Sequence, residues 1–181
     1  MEPVDAIPFP RERPPAPGRL RLVQRFVNTV DYEHGREVLY SPARLRALLV
    51  ELGLLDARTR VGEDDLRRAH ALREDLRALA LANNGMRTDV ELETRLTVRV
   101  GSRRASLDPD RRDVDGAFAE LVGIVYTAVA DGTWTRLKAC RRDVCGWLFY
   151  DRSRNSSARW CQMAVCGNRT KTRAYRARRS S

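Results

Sequence analysis

The stretch Cys140-Arg-Arg-Asp-Val-Cys145-Gly146 contains the first two cysteines of the chain. Fifteen residues separate Cys145 from the second stretch, Cys161-Gln-Met-Ala-Val-Cys166-Gly167. These are the only four cysteines in the 181-residue chain. Two close pairs joined by a short segment are typical of a tetrahedral Zn²⁺ site, in which each tight turn supplies two thiolates. We therefore predict one structural zinc ion, with Cys140, Cys145, Cys161 and Cys166 as its ligands, that holds the fold of this segment.

Disulfides and a catalytic metal are the alternatives for these cysteines. The first 18 residues contain six prolines and three acidic residues but no apolar segment, so we expect neither a signal peptide nor an oxidising compartment. A catalytic zinc normally keeps one coordination position open for water, whereas four thiolates fill the coordination sphere. We therefore expect a structural metal in a cytoplasmic protein.

The net charge is concentrated around the cysteines. Residues 136–181 contain 13 basic and two acidic residues, whereas residues 1–135 contain 21 basic and 22 acidic residues. Even after four thiolates and one Zn²⁺ are counted, the C-terminal segment keeps a charge of about +9, which suits a polyanion such as nucleic acid. The residues expected to contact nucleic acid are Arg152, Arg154, Arg169, Lys171, Arg173, Arg176, Arg178 and Arg179.

The spacing of these basic residues favours a helix. Arg169, Arg173 and Arg176 would share one face of it, and Lys171 and Arg178 another. Guanidinium groups hold phosphates bidentately or bind guanine edges in a major groove. A basic tail that only improves solubility is the alternative, but direct attachment to a metal site favours a binding role.

The first part of the chain predicts three helices. Apolar residues recur at helical spacing over residues 20–30, and a second helix begins after Ser41 as N-cap and ends before Gly53. A third helix is predicted from Glu63, where acidic residues suit the positive end of the helix dipole, to the stop at Asn83-Asn84-Gly85.

A hairpin and a fourth helix are predicted to follow. Residues 96–100 alternate between apolar and polar, Gly101-Ser102 turns the chain, and residues 105–107 return as a second strand. The fourth helix ends at Gly132, and a short helix over residues 133–138 leads to the first cysteine.

Glycine follows the second cysteine of each pair. We predict a positive φ at both Gly146 and Gly167, so that backbone N–H groups point at the thiolates. Residues 147–150 are predicted to form a short strand, whose aromatic rings, with Trp160, would shield the metal. Stacking of these rings on nucleic-acid bases is the alternative.

Other polar residues have less specific patterns. Asn28, Thr29 and Asp31 interrupt an apolar helix face, and would either line a small-ligand pocket or, as we favour, cap the helix and bond to nearby backbone. His34 and His70 have no second histidine or cysteine nearby, which favours structural roles over metal binding. Residues 1–135 contain none of the common catalytic or nucleotide-binding motifs, so we predict that the protein is not an enzyme.

The cysteine segment resembles the CGNR zinc finger, named after Cys166-Gly167-Asn168-Arg169. The other matching motifs are Cys140-x4-Cys145-Gly-Trp-Leu-Phe-Tyr-Asp, Ser153-Arg154-Asn155, Trp160-Cys161-x-Met163 and Lys171. Upstream, Phe26-Val27-Asn28-Thr29-Val30-Asp31 resembles the ABATE domain that precedes this finger in bacterial stress-induced transcription regulators. The resemblance covers about residues 19–179 and implies a zinc-dependent, DNA-binding regulator with the four cysteines as ligands. A weaker likeness to treble-clef fingers, whose last ligand opens a basic helix, suggests where Arg169 would lie.

These observations predict an α+β protein. Residues 1–18 would be a disordered proline-rich lead-in, residues 19–132 a mainly helical ABATE-like domain with a small β-hairpin, and residues 133–181 a four-cysteine, treble-clef-like zinc finger with a basic C-terminal helix. We expect a DNA-binding transcription regulator whose first domain senses a ligand or forms a homo-oligomer. A zinc-stabilised module that binds RNA or an acidic protein surface is the alternative. The longest apolar run, residues 121–130, is too short to span a membrane.

Overall fold

The computed structural model describes residues 13–179, in which helices are interspersed with short antiparallel strand pairs. The helices are α1 (Leu20–Val27), α2 (Pro42–Glu51), α3 (Glu63–Ala82), α4 (Val114–Ala130) and α5 (Asn168–Arg179). The strand pairs are β1 (Val30–Asp31) with β2 (Arg36–Glu37), β3 (Leu96–Gly101) with β4 (Arg104–Pro109), and β5 (Leu137–Ala139) with β6 (Leu148–Tyr150). Within residues 13–179, no helix has both the length and the apolar character that crossing a membrane requires.

Local signals at the ends of α2 act as predicted, and α4 begins with a cap of the same kind. The Ser41 hydroxyl accepts a hydrogen bond from the Arg44 amide at the start of α2, and Gly53 takes a φ of +72° just beyond its end. At the start of α4, the Asp113 carboxylate accepts a hydrogen bond from the Gly116 amide at 3.1 Å. Such caps satisfy backbone groups that have no partner inside the helix, which is why sequence locates these ends well.

One apolar core joins the helical part (residues 20–135) to the finger (residues 136–179). Phe26 of α1, Leu76 of α3 and Leu121 of α4 are fully buried, and so are Leu137 and Leu148 of the hairpin β5–β6. Burying one such side chain contributes about 1.5–3 kcal/mol, so the hairpin is a substantial part of this core. The predicted domain boundary after residue 132 therefore does not coincide with a break in the core.

The segment that leads into the finger has a different structure from the one predicted. Instead of a helix over residues 133–138, a single 3₁₀ turn spans Trp134–Arg136 and strand β5 follows it. The strand forms because Leu137 and Ala139 pair with Tyr150 and Leu148 and bury their side chains in the shared core. Long-range pairing thus overrides a local helical pattern here.

The first helix is shorter than predicted. It ends at Val27, and Val30 already belongs to β1, which pairs with β2. The change occurs because the Thr29 hydroxyl bonds back to the Phe26 carbonyl at 2.8 Å and the Thr29 carbonyl accepts a hydrogen bond from the Val38 amide. This places β1 and β2 beside the end of α1, facing the finger.

The predicted lead-in lies partly outside the described residues, which begin at Arg13. Of its last six residues, Arg13 is half-buried, Ala16 is buried and the other four are exposed. The Ala16 amide donates to the Gln24 side-chain oxygen at 2.7 Å. The Arg152 guanidinium donates to the Pro15 carbonyl at 3.1 Å, so this end of the predicted disordered segment is held by the finger itself.

Candidate metal centre and its attachment to the helical part

The four cysteine sulfurs form one compact cluster. All four Sγ atoms lie within 4.8 Å of one another, with 3.7 Å from Cys145 to Cys161 and 3.6 Å from Cys161 to Cys166. These separations are far longer than a disulfide bond of about 2 Å. They match the edge of about 3.8 Å expected for four sulfurs around a tetrahedral Zn²⁺ at about 2.3 Å. The geometry and the all-sulfur donor set fit a single structural zinc ion.

The first cysteine pair is positioned by the hairpin β5–β6. Cys140 directly follows β5, and its amide donates to the Trp147 carbonyl at 2.9 Å, which closes the base of the loop. The Cys145 amide donates to the Arg142 carbonyl and makes the turn between the two ligands. Gly146 has a φ of +56°, as predicted, and returns the chain to β6.

The second pair is positioned by a π-turn, Met163–Gly167, that runs directly into α5. Cys161 precedes the turn, Cys166 lies within it, and the Gly167 amide reaches back to the Gln162 carbonyl at 3.2 Å. The Thr170 hydroxyl donates to the Cys166 carbonyl at 2.8 Å. The last ligand is therefore part of the turn from which α5 grows.

Gly167 does not have the predicted positive φ. Positive φ in the first turn occurs at Gly146, whereas Gly167 continues a helical turn. Here the constraint is local space, because a Cβ on Gly167 would lie 2.4 Å from the sulfur of the flexible Met163 side chain, which would have to shift. The repeated Cys-Gly pair thus has two different physical causes.

Aromatic side chains surround the cysteines, as predicted. Trp147 and Phe149 are buried against them, and Trp160 is partly buried in the same cluster. Tyr150 instead faces the shared core. Burial of Trp147, Phe149 and Tyr150 leaves these three rings no face for stacking on bases, so base stacking by this strand is excluded.

Arg13 reaches the metal centre from the N-terminal side. Its guanidinium lies 4.6 Å from the centroid of the Phe149 ring and donates to the Cys161 carbonyl at 2.9 Å. A cation in this position stabilises an aromatic face and lies close to a cluster of negative thiolates. Sequence reasoning missed this role because the contact spans 148 residues.

Arg142 adds a second positive charge beside the cysteines. Its guanidinium lies 3.9 Å from the Cys166 sulfur. Hydrogen bonds from Cys140, Cys145 and Cys161 lower the pKa of Cys166, and Arg142 adds to this effect. The same coupling raises the pKa values of Cys145 and Cys161, so Arg142 favours the thiolate that metal binding requires at Cys166 in particular.

A buried ion pair fixes the other end of the hairpin. The Lys138 ammonium lies 3.0 Å from Asp151 Oδ2 and also donates to the Ser156 carbonyl. Asp151 further accepts hydrogen bonds from the amides of Ser153 and Ala158. Although burial opposes it, hydrogen bonds from Ser153 and Lys138 lower the pKa of Asp151 to about 2. The pair therefore ties the loop after β6 to β5 and gives no net charge to the surface.

Amides of the helical part bind the backbone of the finger. Asn83 donates to the carbonyls of Trp134 and Leu137 at 2.9 Å each, and Asn84 donates to those of Ala139 and Arg159. These asparagines form the end of α3, which the sequence marks only as a helix stop. Their second role, holding β5, was missed because the partners lie 51 to 75 residues away.

Arg77 of α3 joins the first zinc turn to α1. It is buried and donates to the Val27 carbonyl at 2.8 Å, to the Gly146 carbonyl, and to Glu74 at 2.9 Å. Burial of such a cation is tolerated because each of its three side-chain nitrogens donates to an acceptor. The zinc turn is thus held by a charged side chain that looks like part of an exposed helix face in the sequence.

Asn28, Thr29 and Asp31, the polar residues at the end of α1, have different roles in the structure. The Asn28 side chain bonds to the Leu148 backbone, while the Thr29 hydroxyl bonds to the Phe26 carbonyl. Asp31 lies at the edge of a cleft beside the cysteines and accepts hydrogen bonds from the Glu33 and His34 amides and the His34 ring. Asn28 and Thr29 are buried, so of the three only Asp31 borders open space.

The two histidines lie apart from the cysteine cluster. His34 Nδ1 lies 2.7 Å from Asp31, and His70 Nε2 lies 2.8 Å from the Leu39 carbonyl. Neither belongs to a group of possible metal ligands among residues 13–173. Both make contacts consistent with the structural roles expected from the sequence.

The predicted basic surface is partly paired with acids. Arg169 contacts Glu33, and Arg173 lies 3.2 Å from Asp143. Arg154 and Lys171 are exposed and make no hydrogen bond or ion pair with residues 13–173. Arg152 lies 5.5 Å from the Tyr150 ring and also bonds to Pro15. The backbones of Arg176, Arg178 and Arg179 lie on α5, and their side chains are outside the described part.

Comparison with known families agrees with this arrangement. Residues 20–136 match the model of the ABATE family, described as "Putative stress-induced transcription regulator", and residues 136–179 match the CGNR zinc finger. No curated protein matches the chain. The two matches meet at Arg136, inside the 3₁₀ turn that leads into β5.

Proposed function

Because the chain belongs to the ABATE family and carries a CGNR zinc finger, we propose that it is a cytoplasmic transcription regulator that binds duplex DNA through α5. The observation that carries this proposal is the composition and attachment of α5. The helix contains six basic residues and no acidic residue, and it starts at the residue that follows the π-turn of Cys166.

The zinc ion has a positional role in this proposal. It fixes Cys166, and Cys166 fixes the first turn of α5, so that the direction of the helix depends on the metal. Lys171 is exposed on the first half of this helix, and Arg154 is exposed on the loop after β6. Such side chains would neutralise phosphates and set the register on the duplex, while other guanidinium groups of α5 would contact base edges.

The helical part would hold the finger in one orientation. Hydrogen bonds from α1, α3 and the residues that directly follow them bind the finger, through Gln24, Asn28, Arg77, Asn83 and Asn84. A ligand or a second protein copy that shifts these helices would change the position of α5. Ligand sensing or dimerisation by the helical part stays a prediction.

The test is binding of the zinc-loaded full chain to duplex DNA over a range of salt concentrations. If about six phosphates are neutralised, the logarithm of the affinity should fall with the logarithm of the salt concentration with a slope of roughly −5. Replacing Arg176 and Arg178 with Gln should reduce the slope by about 2. Arg67→Gln is the matched control, because Arg67 is an exposed arginine of α3 paired with Asp64.

A slope near zero, or a Cys161→Ser variant that binds as well as the wild type, would refute a zinc-positioned DNA-binding helix. Tighter binding of structured RNA than of duplex DNA would assign the finger to RNA instead. Retention of acidic proteins after nuclease treatment would assign it to a protein partner.

A further inference from the structure

An arginine-lined cleft lies between the first zinc turn and the start of α5. Its volume is about 450 Å³, and its walls include four guanidinium-bearing residues and one hydroxyl-bearing residue. These are Arg141, Arg142, Arg169, Arg173 and Thr170. Four cations around one open cleft of this size provide the donors and the charge that a phosphate group requires.

Two arginines of this cleft already pair with a carboxylate from the helical part. One oxygen of Glu33 lies 2.6 Å from the Arg142 guanidinium, and the other contacts Arg169. Glu33 lies on the loop between β1 and β2, 109 residues from Arg142 and 136 from Arg169. An anion whose two oxygens are divided between two guanidinium groups reproduces the way in which a phosphate would be bound.

The charge balance leaves room for a further anion. Glu33 and Asp143 pair with three of the four arginines, with Asp143 at 3.2 Å from Arg173, and the Cys166 sulfur lies 3.9 Å from Arg142. Arg141 is exposed, and its side chain makes no hydrogen bond or ion pair with residues 13–173. The side chains of Asp143 and Arg173 are 79% and 83% exposed, so their pairing in water is weak. The Glu33 side chain is only 22% exposed, so Glu33 is the acid that interacts more strongly with these arginines.

Glu33 is not needed to dock the finger. The hairpin β5–β6 is buried in the shared core, and Asn28, Arg77 and Asn84 bind its backbone with buried hydrogen bonds. The Glu33 contact is additional to an attachment that these buried bonds already provide. The placement of one carboxylate on both Arg142 and Arg169 therefore calls for a further explanation.

We propose that this cleft is a phosphate-binding site and that the Glu33 carboxylate is an internal competitor that pairs with Arg142 and Arg169 until a phosphate displaces it. For a phosphate of the DNA backbone, this inference rests on the proposed function. A free phosphorylated molecule would present the same chemistry to Arg142 and Arg169. In either case, arrival of the ligand releases the β1–β2 loop from the finger.

The experiment compares the zinc-loaded full chain with its Glu33→Gln and Arg142→Gln variants. Binding of inorganic pyrophosphate is measured by calorimetry, and binding of a random-sequence duplex by anisotropy at two salt concentrations. Glu33→Gln should raise both affinities by about three- to tenfold and steepen the salt slope by about 1, because one competing charge is removed. Arg142→Gln should lower both affinities.

Matched controls separate the cleft from general charge effects. Glu51→Gln removes an equivalent carboxylate that pairs with Arg25 on the helical part, and it should leave both affinities unchanged. Glu33→Asp keeps the negative charge, but its shorter side chain brings the carboxylate less close to Arg142 and Arg169. The affinities of this variant for pyrophosphate and duplex DNA should therefore lie between those of wild type and Glu33→Gln. This variant also serves if Glu33→Gln does not fold.

The outcomes distinguish the two ligand sources. If pyrophosphate binding responds to Glu33→Gln and Arg142→Gln but duplex binding does not, the site is supported for a free phosphorylated ligand, and DNA contact by this cleft is rejected. If Glu33→Gln weakens both interactions, as Arg142→Gln does, Glu33 only orients the arginines and the proposal is wrong. If no variant affects pyrophosphate, the cleft is not a phosphate site.

Discussion

Asn28 and Leu148 lie 120 residues apart in sequence and exchange two hydrogen bonds. The Leu148 amide donates to Asn28 Oδ1 at 2.8 Å, and Asn28 Nδ2 donates to the Leu148 carbonyl at 2.9 Å. The side-chain amide therefore satisfies the free edge of β6 as a neighbouring strand would. One residue at the end of α1 thus connects the helical part to the strand that follows the first zinc turn.

Replacement of Asn28 with Ala should destabilise the whole chain. The substitution leaves the buried Leu148 amide without an acceptor, and the cost of one such group is about 1–3 kcal/mol. The Leu148 carbonyl keeps a hydrogen bond from Gln24, so its loss is smaller. Urea unfolding measures the difference in free energy. Asn155→Ala, at an exposed position in the loop after β6, should have little effect, and equal losses for both variants would contradict this role.

Removal of the metal should lower the thermal stability of the helical part as well as of the finger. The reason is that Leu137 and Leu148, on either side of the first cysteine pair, belong to the shared core. Structural zinc contributes a large share of folding free energy, so we expect the unfolding temperature to fall on the order of 10 °C. Circular dichroism at 222 nm follows the helices during heating.

A zinc-saturated chelator is the control for this measurement and should change nothing. Addition of Zn²⁺ after chelation should restore the original transition. An unchanged helical transition, with loss of tryptophan signal alone, would mean that the finger unfolds independently of the helical part.

Asp151→Asn should be among the most destabilising single substitutions. It leaves the Lys138 ammonium, 5% exposed, without its counter-ion, and breaking a buried pair in this way costs about 3–5 kcal/mol. Adding Lys138→Met to Asp151→Asn should recover part of the loss, because the unpaired charge is then removed. Failure of the double variant to recover stability would show that the hydrogen bonds to Ser153 and Ala158 matter more than the ion pair.

The Lys138–Asp151 ion pair also predicts that the free energy of unfolding depends on pH. The folded-state pKa of Asp151 is lowered to about 2, so the carboxylate stabilises the fold above the ordinary aspartate pKa of about 4. That contribution is lost as the pH falls from about 4 towards 2. The difference in unfolding free energy between wild type and Asp151→Asn should therefore shrink over this range. A constant difference would contradict the lowered pKa.

Alanine substitutions at the two Cys-Gly positions should have unequal effects. Gly146→Ala forces a non-glycine residue to a φ of +56° and places its Cβ 3.2 Å from the Arg77 side chain, which should cost about 1–2 kcal/mol. Gly167→Ala meets only the flexible Met163 side chain, so its cost should be smaller. Met163→Ala should abolish that smaller cost, and a double-mutant cycle tests this coupling. Equal costs at both glycines would refute the distinction.

The features that were predicted best from the sequence are those that depend on residues close together in the chain. The ends of α2 follow from Ser41, Pro42 and Gly53, and the four cysteines carry their own spacing signal. Failures occurred where a distant partner decides. Residues 137–139 became a strand because β6 was available to pair with. The error at Gly167 instead has a local cause, because this residue continues the turn Met163–Gly167 that leads into α5.

The attachment of the finger was the least predictable feature. Gln24, Asn28 and Arg77 are polar residues at buried positions of amphipathic helices, and their partners lie 50 to 124 residues away. For Gln24 and Asn28 a polar residue on an otherwise apolar helix face was the only available signal, and it does not identify the partner. Arg77 gave no such signal, because the sequence places it on an exposed basic face. The Glu33 contact with Arg142 gave no signal at all, because single exposed acids are common on loops.

The shared core also limits how such proteins can be recombined. A gene fusion that joins a foreign regulator at Arg136 would bring a finger whose strand side chains, Leu137 and Leu148, had been shaped for α1 and α3 of its original neighbour. If the foreign regulator lacks amide side chains at the positions of Asn28 and Asn84, the backbone of the transferred hairpin loses these hydrogen-bond partners, and its apolar side chains stay exposed. The heritable unit of exchange is therefore the finger together with the two helices that hold it, and designers of chimeric regulators should transfer them together.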